Sequence, residues 1–253
     1  VALMEGLGWR QAWTAVGIAY LVLLPGLVLW LLRGHGDRHR AFTAHHAKVR
    51  AVSTDGEFTV GKVLHDRRFY LILPAFTAPT ILFTGFIFHQ VHLAASKGWT
   101  LTWFASWFFA YAGISMLTSF LLGPVLDRLN ARRLTPFFLI PFGFAMILLA
   151  TTAHPLSAPA VMVLLGVGVG CFYTIFGAYW AEVYGVTHLG AIRSVTHAVT
   201  VLASATSPFL FGWLIDGGLS IETLALLCLG YAAAASVLAA LASRQTQAAV
   251  ENA

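Results

Sequence analysis

Long, uninterrupted apolar blocks limit the possible folds of this chain more than any other feature of its sequence. A helix of about 20 apolar residues crosses the roughly 30 Å hydrocarbon core of a bilayer. The blocks are continuous rather than alternating, so they predict helices and not the strands of a barrel. The predicted spans are Trp13–Leu32, Phe69–Leu93, Leu101–Leu126, Leu134–Ala153, Ala158–Trp180, Ser194–Ile215 and Ile221–Ala242. The sequence therefore predicts an all-α membrane protein with seven transmembrane helices.

The composition supports the same fold class and argues against a soluble protein. The chain is 58% hydrophobic and 10% charged, whereas soluble domains are about 45–50% apolar and about 25% charged. The formal net charge of +5 comes from basic residues between the apolar blocks. We therefore interpret it as a determinant of membrane topology, with the lipid bilayer as a partner, and expect no binding of nucleic acid.

Basic residues lie almost entirely on one side of the predicted membrane. If the spans alternate in direction, 13 of the 15 Lys and Arg residues share one side, and the other side holds Arg10 and Lys97. The shared side carries Arg33, Arg38, Arg40, Lys48, Arg50, Lys62, Arg67, Arg68, Arg128, Arg132, Arg133, Arg193 and Arg244. Positively charged short loops remain in the cytoplasm. We therefore expect the first residue to lie outside and the last residue inside.

The loops are unequal in length, and this predicts two parts. Residues 1–68 contain one span and a long basic cytoplasmic loop, and residues 69–253 contain six spans joined by short loops. The loop between the second and third spans of the six-span part reads "GPVLDRLNARRL" from residue 123. It places Asp127 at the end of a helix, where the helix dipole disfavours an anion, so this carboxylate needs a partner.

This pattern resembles the last seven helices of a twelve-helix transporter of the major facilitator superfamily. The signature consists of Gly123, Asp127, Arg128, Arg132 and Arg133, in the loop where this family repeats such a motif in each half. Asn130 stands where the family usually has glycine, and asparagine also adopts left-handed backbone conformations. The segments "VLHDRRFYL" and "HLGAIR" are similar to bacterial members of the monocarboxylate-porter type.

The resemblance implies function as well as fold. The chain, which starts with Val1, is expected to be a fragment: helices 6–12 of a secondary transporter in the bacterial inner membrane. Residues 69–253 would form the C-terminal six-helix bundle, and the N-terminal half would be missing. Such proteins move a small organic solute, sometimes with protons, by alternating access. In the family the motif's aspartate closes the cytoplasmic side against the other half, and we expect Arg128, Arg132 and Arg133 to be available for local pairing with Glu182.

The same resemblance places a solute near mid-membrane, where polar side chains on one helix face are candidates for binding it. The candidates are Thr77, Thr80, Thr84, Tyr173, Thr174, His197, Thr200 and Ser204. Serine and threonine in membrane helices also bond their own backbone or a neighbouring helix, which is the alternative for each hydroxyl. The spans that match the family's eighth and eleventh helices contain no Lys or Arg at mid-depth, which argues against an anionic solute unless another segment supplies the cation.

Two other functional classes compete with transport. A seven-helix receptor or sensor would couple to a partner through the long loop, and a membrane-embedded enzyme would need a carboxylate pair, a Ser–His pair or metal ligands at depth. The nearest approach to such an enzyme site is the stripe of His197, Thr200 and Ser204, which lacks a carboxylate. We therefore predict a transporter that is not an enzyme and needs neither a cofactor nor a metal.

Overall fold

The computed structural model describes residues 8–32 and 58–251, and every regular element in these residues is an α-helix. The chain divides into two compact units, residues 1–56 and 57–253. Most of the predicted basic loop, residues 33–57, lies outside the described residues. Within the second unit the end of that loop forms a short helix, Val60–Leu64.

The first unit contributes one described helix, α1, at Trp9–Leu31. Its 23 residues rise about 35 Å, which is enough to cross a bilayer. Leucines on all sides of α1 are exposed within its own unit, among them Leu21 and Leu29. A helix that is apolar all round suits a lipid environment.

The second unit contains ten helices in the described residues. They are α2 (Val60–Leu64), α3 (Arg67–Phe88), α4 (Gln90–Ser96), α5 (Leu101–Ser106), α6 (Phe108–Leu129), α7 (Ala131–Leu134), α8 (Ile140–Thr151), α9 (Ser157–Tyr184), α10 (Leu189–Asp216) and α11 (Ile221–Glu251).

Six helical segments among the described residues are long and apolar enough to cross a membrane, rather than the seven predicted. They are Trp13–Leu31, Arg67–Phe88, Leu101–Leu129, Ser157–Tyr184, Leu189–Asp216 and Ile221–Arg244. The predicted fourth span, Leu134–Ala153, contains only the 12-residue helix α8. Pro136 and Pro141 account for the late start of α8, because a proline has no backbone N–H for a helical hydrogen bond and is best tolerated in the first turn of a helix, where Pro141 lies.

Other boundaries also differ from the predicted spans. The second predicted span is interrupted at His89, between α3 and α4, and the third at Trp107, between α5 and α6. The sixth begins five residues earlier than predicted, at Leu189. Ile192 explains this extension, because it is buried in the bundle and so keeps the first turns of α10 packed although they are less apolar.

The large helices pack in a defined order around an aromatic core. α9 lies against α6 on one side and α8 on the other, α8 also contacts α11, and α3 lies between α10 and α11. Phe76 of α3 is at the centre, within 6.4 Å (ring centroids) of rings on the α7–α8 connection and on α9. This packing brings α3, α9 and α10 side by side.

Glycines allow α9 to approach its neighbours closely. A Cβ atom on Gly170 would lie 2.6 Å from the carbonyl oxygen of Ser115, and one on Gly166 would lie 2.8 Å from that of Tyr111, both on α6. A Cβ on Gly168 would lie 2.4 Å from the ring of Phe142 on α8. Small residues are the usual means of close helix packing in membranes.

Replacing Gly170 with alanine is expected to destabilise the bundle by about 1–2 kcal/mol, because the clash involves backbone that must shift. Thermal unfolding in detergent measures the effect. Gly113→Ala on α6 is the matched control, since nothing lies within 4 Å of a Cβ at that position. Equal stability of the two variants would contradict close packing at Gly170.

Candidate functional site

A cavity of about 470 Å³ opens between α3, α9 and α10. Five of the eight predicted solute-binding residues lie along it, together with apolar and aromatic side chains. The lining residues are Thr80, Phe172, Tyr173, Phe176, Gly177, Arg193, His197, Thr200, Val201 and Ser204. A concave site with aromatic walls and a few polar groups from separate helices is the usual form of a small-molecule pocket.

Arg193 is the one cation of this lining, and the sequence analysis placed it in a cytoplasmic loop. That placement is corrected: Arg193 belongs to α10, and its Nη2 donates a hydrogen bond of 2.8 Å to the carbonyl oxygen of Gly177 on α9. Its helical spacing to His197, Thr200 and Ser204 places all four on one helix face. This spacing is the sequence signal that could have identified Arg193 as a residue of the cavity.

The polar groups of the cavity differ in how far they are already satisfied. Thr80 donates to the carbonyl oxygen of Thr77 (2.8 Å), and Thr200 donates to that of His197 (2.8 Å). These two hydroxyls keep only acceptor capacity. The Tyr173 hydroxyl and the His197 ring have no hydrogen-bond partner among the described residues, and both side chains are exposed. Arg193, Tyr173 and His197 therefore provide donors to a solute, and the Ser204 hydroxyl adds another when Thr84 donates to it.

The other three predicted residues join helices instead of lining this cavity. Thr77 is buried, and its hydroxyl lies 2.9 Å from the hydroxyl of Tyr231 on α11. Thr84 lies 2.9 Å from the hydroxyl of Ser204, so it links α3 to α10. Thr174 donates to the carbonyl oxygen of Gly170 within α9 at 3.0 Å, and its hydroxyl also lies 3.5 Å from the carbonyl oxygen of Ser119 on α6. Residues three positions apart on a helix, such as Thr77 and Thr80, differ in direction by about 60° around its axis. Because α10 and α11 lie on either side of α3, this difference is enough for the two threonines to face different helices.

The "GPVLDRLNARRL" stretch forms a sharp turn between α6 and α7. Asn130 has φ 65° and ψ 148°, so its φ is positive as expected for this motif position, but the residue lies outside the left-handed helical region in which asparagine is common. Gly123, Asp127 and Arg128 lie on the last turns of α6, while Arg132 and Arg133 lie on α7. The turn reverses the chain at the end of the bundle that holds these arginines.

Glu182 of α9 fixes that turn. Its Oε2 accepts the backbone N–H of Ala131 (2.6 Å), and its Oε1 accepts Nε of Arg132 (2.7 Å). Ser243 of α11 donates to the carbonyl oxygen of Arg132 at 2.9 Å. Pairing of Glu182 with Arg132 is confirmed. In the described part of the chain Arg128 and Arg133 make no ion pair with Glu182, so that part of the prediction is corrected.

Asp127 differs from the charged residues around it. Its side chain is exposed, and among residues 8–32 and 58–251 it has no hydrogen-bond or ion-pair partner. Gly123, one turn earlier, has nothing within 4 Å of a Cβ built on it. Packing inside this unit therefore requires neither residue.

Asp66 forms a second polar cluster at the same end, which the sequence analysis missed. It caps α3 by accepting the backbone N–H of Arg68 (2.9 Å), and its carboxylate also pairs with the Arg68 guanidinium (2.8 Å). The Tyr184 hydroxyl of α9 donates to it at 3.2 Å. Partial burial alone would raise the pKa of Asp66, but the hydrogen bonds from Arg68 outweigh it and lower the pKa. An aspartate directly before an apolar helix is the sequence signal for such a cap.

Asp66→Asn is expected to reduce stability at neutral pH, and the difference from wild type should shrink in acid. The pKa of Asp66 in the folded protein lies below the ordinary value of 3.8. The ionised carboxylate therefore stabilises the fold at pH values above 3.8, and this stabilisation is lost as the pH falls through the folded pKa. Thermal unfolding in detergent between pH 7 and pH 3 measures it. Asp216→Asn, at an exposed residue, is the control, and a wild-type advantage that stayed constant down to pH 3 would contradict the linkage.

The described residues contain no group of three or more His, Cys, Asp or Glu side chains placed to hold a metal ion. The cavity therefore offers hydrogen bonds and one positive charge, and the basic end offers ion pairs between helices.

Comparison with known families accords with this architecture. The sequence model of the Major Facilitator Superfamily matches residues 1–208 and also residues 83–252. Searches of curated proteins and of solved structures gave no significant match. The family's members are transporters and not enzymes. With six candidate spans in its described residues, the chain is a multi-pass membrane protein and belongs to the Major Facilitator Superfamily of membrane transporters.

Proposed function

We propose that this transporter moves a small organic anion by alternating access, and that the cavity between α3, α9 and α10 is part of its solute site. The observation that carries the proposal is the convergence of polar side chains from three helices on one cavity of about 470 Å³. Family members bind their solutes between two helical bundles that rock about the site.

The charge of the cavity supports an anion such as a small carboxylate. Arg193 lies beside His197 and Tyr173 on the lining, and a guanidinium binds carboxylates through paired N–H donors. The sequence analysis argued against an anion because the relevant spans held no cation at mid-depth. Arg193 supplies a cation to the cavity from the first turns of α10 rather than from mid-depth, and a cation in the cavity accords with the resemblance to monocarboxylate porters.

We further propose that the chain forms the C-terminal half of a twelve-helix transporter, with its basic ends in the cytoplasm of a bacterium. The exposed Asp127 and the open Gly123 support a contact with a second bundle. The overlapping matches to one family model are also what a repeated architecture would give. The gene sequence upstream of Val1 tests this: it should encode a second glycine–aspartate–arginine motif about 200 residues earlier.

Uptake into proteoliposomes tests the transport proposal. The complete gene product should accumulate a radiolabelled monocarboxylate when a solute or proton gradient is imposed, and neutral sugars should not compete. The 253-residue chain alone is the control and is expected to give no uptake. Gradient-driven uptake of sugars with no response to carboxylates would contradict the anion assignment, and no flux with any organic solute would contradict the proposed solute class.

Asp127→Asn in the complete protein is expected to slow transport by about tenfold, as the loss of one charged contact of about 1.4 kcal/mol between the bundles would do. Insertion into the membrane should be unchanged, since Asp127 has no partner within the described residues. The same substitution at the exposed Asp216 is the control. Normal flux in Asp127→Asn would contradict a contact between Asp127 and a second bundle.

A further inference from the structure

A second concave surface lies at the basic end of the unit and shares no lining residue with the solute cavity. This groove has a volume of about 710 Å³ and lies between the α7–α8 connection, the end of α9 and the end of α11. Its lining residues are Asn130, Arg132, Arg133, Pro136, Phe137, Glu182, Ser236, Val237, Ala240, Ser243 and Arg244. Nothing in the transport proposal uses it.

The rim of the groove is positively charged. Three arginines and one glutamate line it, which leaves a formal charge of +2. The glutamate, Glu182, is already held by Arg132 and by the backbone of Ala131. Arg133 and Arg244 are exposed and have no carboxylate partner among the described residues. Two guanidinium groups are therefore available to a ligand that carries negative charge.

The wall of the groove is apolar and leads away from that charge. Phe137 is 61% exposed and Val237 is 60% exposed, while Ser236 and Ala240 are small enough to leave a furrow along α11. Val237 lies seven residues before Arg244, a rise of about 10 Å along the helix. The headgroup region of a bilayer is only a few ångströms deep on each side. If Arg244 lies at the depth of the lipid headgroups, Val237 therefore lies in the hydrocarbon core.

We propose that this groove binds one anionic phospholipid, whose phosphate contacts Arg133 and Arg244 and whose acyl chain lies along Phe137 and Val237. Charge complementarity selects the anionic headgroup, and the exposed apolar wall next to the charge selects a lipid over a soluble anion. Basic pockets at the cytoplasmic ends of membrane helices are suited to such headgroups.

Native mass spectrometry of the chain in detergent tests the proposal. Dioleoylphosphatidylglycerol should bind more tightly than dioleoylphosphatidylcholine. Arg133→Gln/Arg244→Gln should weaken phosphatidylglycerol binding by roughly 25-fold, as expected for two basic contacts near a membrane surface. Val237→Trp should weaken it while leaving the charge intact, because the indole fills the furrow. Thermal unfolding checks that each variant is folded, and Arg244→Gln alone, at an exposed position, provides a milder variant.

Two comparisons separate this lipid site from simpler explanations. Arg67→Gln/Arg128→Gln removes the same charge from exposed positions at the same end of the unit but outside the groove. An equal loss of phosphatidylglycerol binding in that variant would overturn the proposal in favour of general charge attraction. Displacement of the lipid by millimolar inorganic phosphate would indicate that the two arginines bind a soluble anion, and it would overturn the lipid proposal. Equal binding of the two lipids, or no effect of Val237→Trp, would also overturn it.

Discussion

Arg193→Gln is expected to lower carboxylate uptake by the complete transporter by about 10- to 100-fold. Hydrogen bonds to a charged group contribute about 1.5–3 kcal/mol, and each 1.4 kcal/mol corresponds to a factor of ten. The loss should appear mainly as a higher KM, because the guanidinium is expected to bind the carboxylate before and during transport alike. Uptake measured over a range of solute concentrations separates the effect on KM from the effect on the maximal rate.

Control variants distinguish a binding role of Arg193 from a purely structural one. Its Nη2 also bonds Gly177, so Arg193→Lys, which keeps the charge but loses the paired donors, should restore part of the affinity. Arg67→Gln, at an exposed position away from the cavity, should have no effect on KM. If Arg193→Gln lowered stability but left KM unchanged, the residue would serve helix packing and not the solute.

Glu182→Ala is expected to destabilise the second unit by about 2–3 kcal/mol. The substitution removes the acceptor of both the Arg132 guanidinium and the Ala131 backbone N–H. Hydrogen bonds to charged groups contribute about 1.5–3 kcal/mol each, or about 3–6 kcal/mol for the two. The expected loss is smaller than this sum because both side chains of the ion pair are about one-fifth exposed and therefore partly screened by solvent. Thermal or chemical unfolding in detergent measures the loss.

Hydrogen exchange gives a local readout of the same substitution. The Ala131 amide should exchange faster in Glu182→Ala than in wild type, because its acceptor is gone. Glu182→Gln keeps an acceptor oxygen for Ala131 and should protect that amide while weakening the bond to Arg132. Asp216→Ala, at an exposed carboxylate, is the control. Unchanged exchange at Ala131 in Glu182→Ala would show that the turn does not depend on this contact.

The sequence predicted the membrane helices well where hydropathy alone determines them. Long apolar runs must form helices in lipid, so the cores of six spans could be placed without a structure. The predicted span over Leu134–Ala153 contains only the 12-residue helix α8, because hydropathy does not register that Pro136 lacks the N–H for a helical hydrogen bond and that Pro141 favours the first turn of a helix. For Asn130 only part of the expected backbone conformation is seen, since its φ of 65° is positive but its ψ of 148° lies outside the left-handed helical region that asparagine favours.

The candidate site was only partly predictable, because helix neighbours are set by tertiary packing. The stripe on α10 was found from spacing, but the start of that helix was placed too late and Arg193 was left out. Thr77 and Thr80 share a helix face, yet one contacts Tyr231 on α11 and the other lines the cavity. A difference of this kind depends on where α10 and α11 cross α3, which the sequence does not state.

The short helix α8 has a consequence for the surrounding membrane. Its 12 residues rise about 18 Å, well below the roughly 30 Å of a typical hydrocarbon core. The residues before it are not helical but are largely buried, including Thr135, Phe138 and Leu139. A bilayer adapts to a short apolar stretch by thinning locally, at a cost that grows with each ångström of mismatch. The bilayer is therefore expected to be thinner beside α8 than beside the six longer spans.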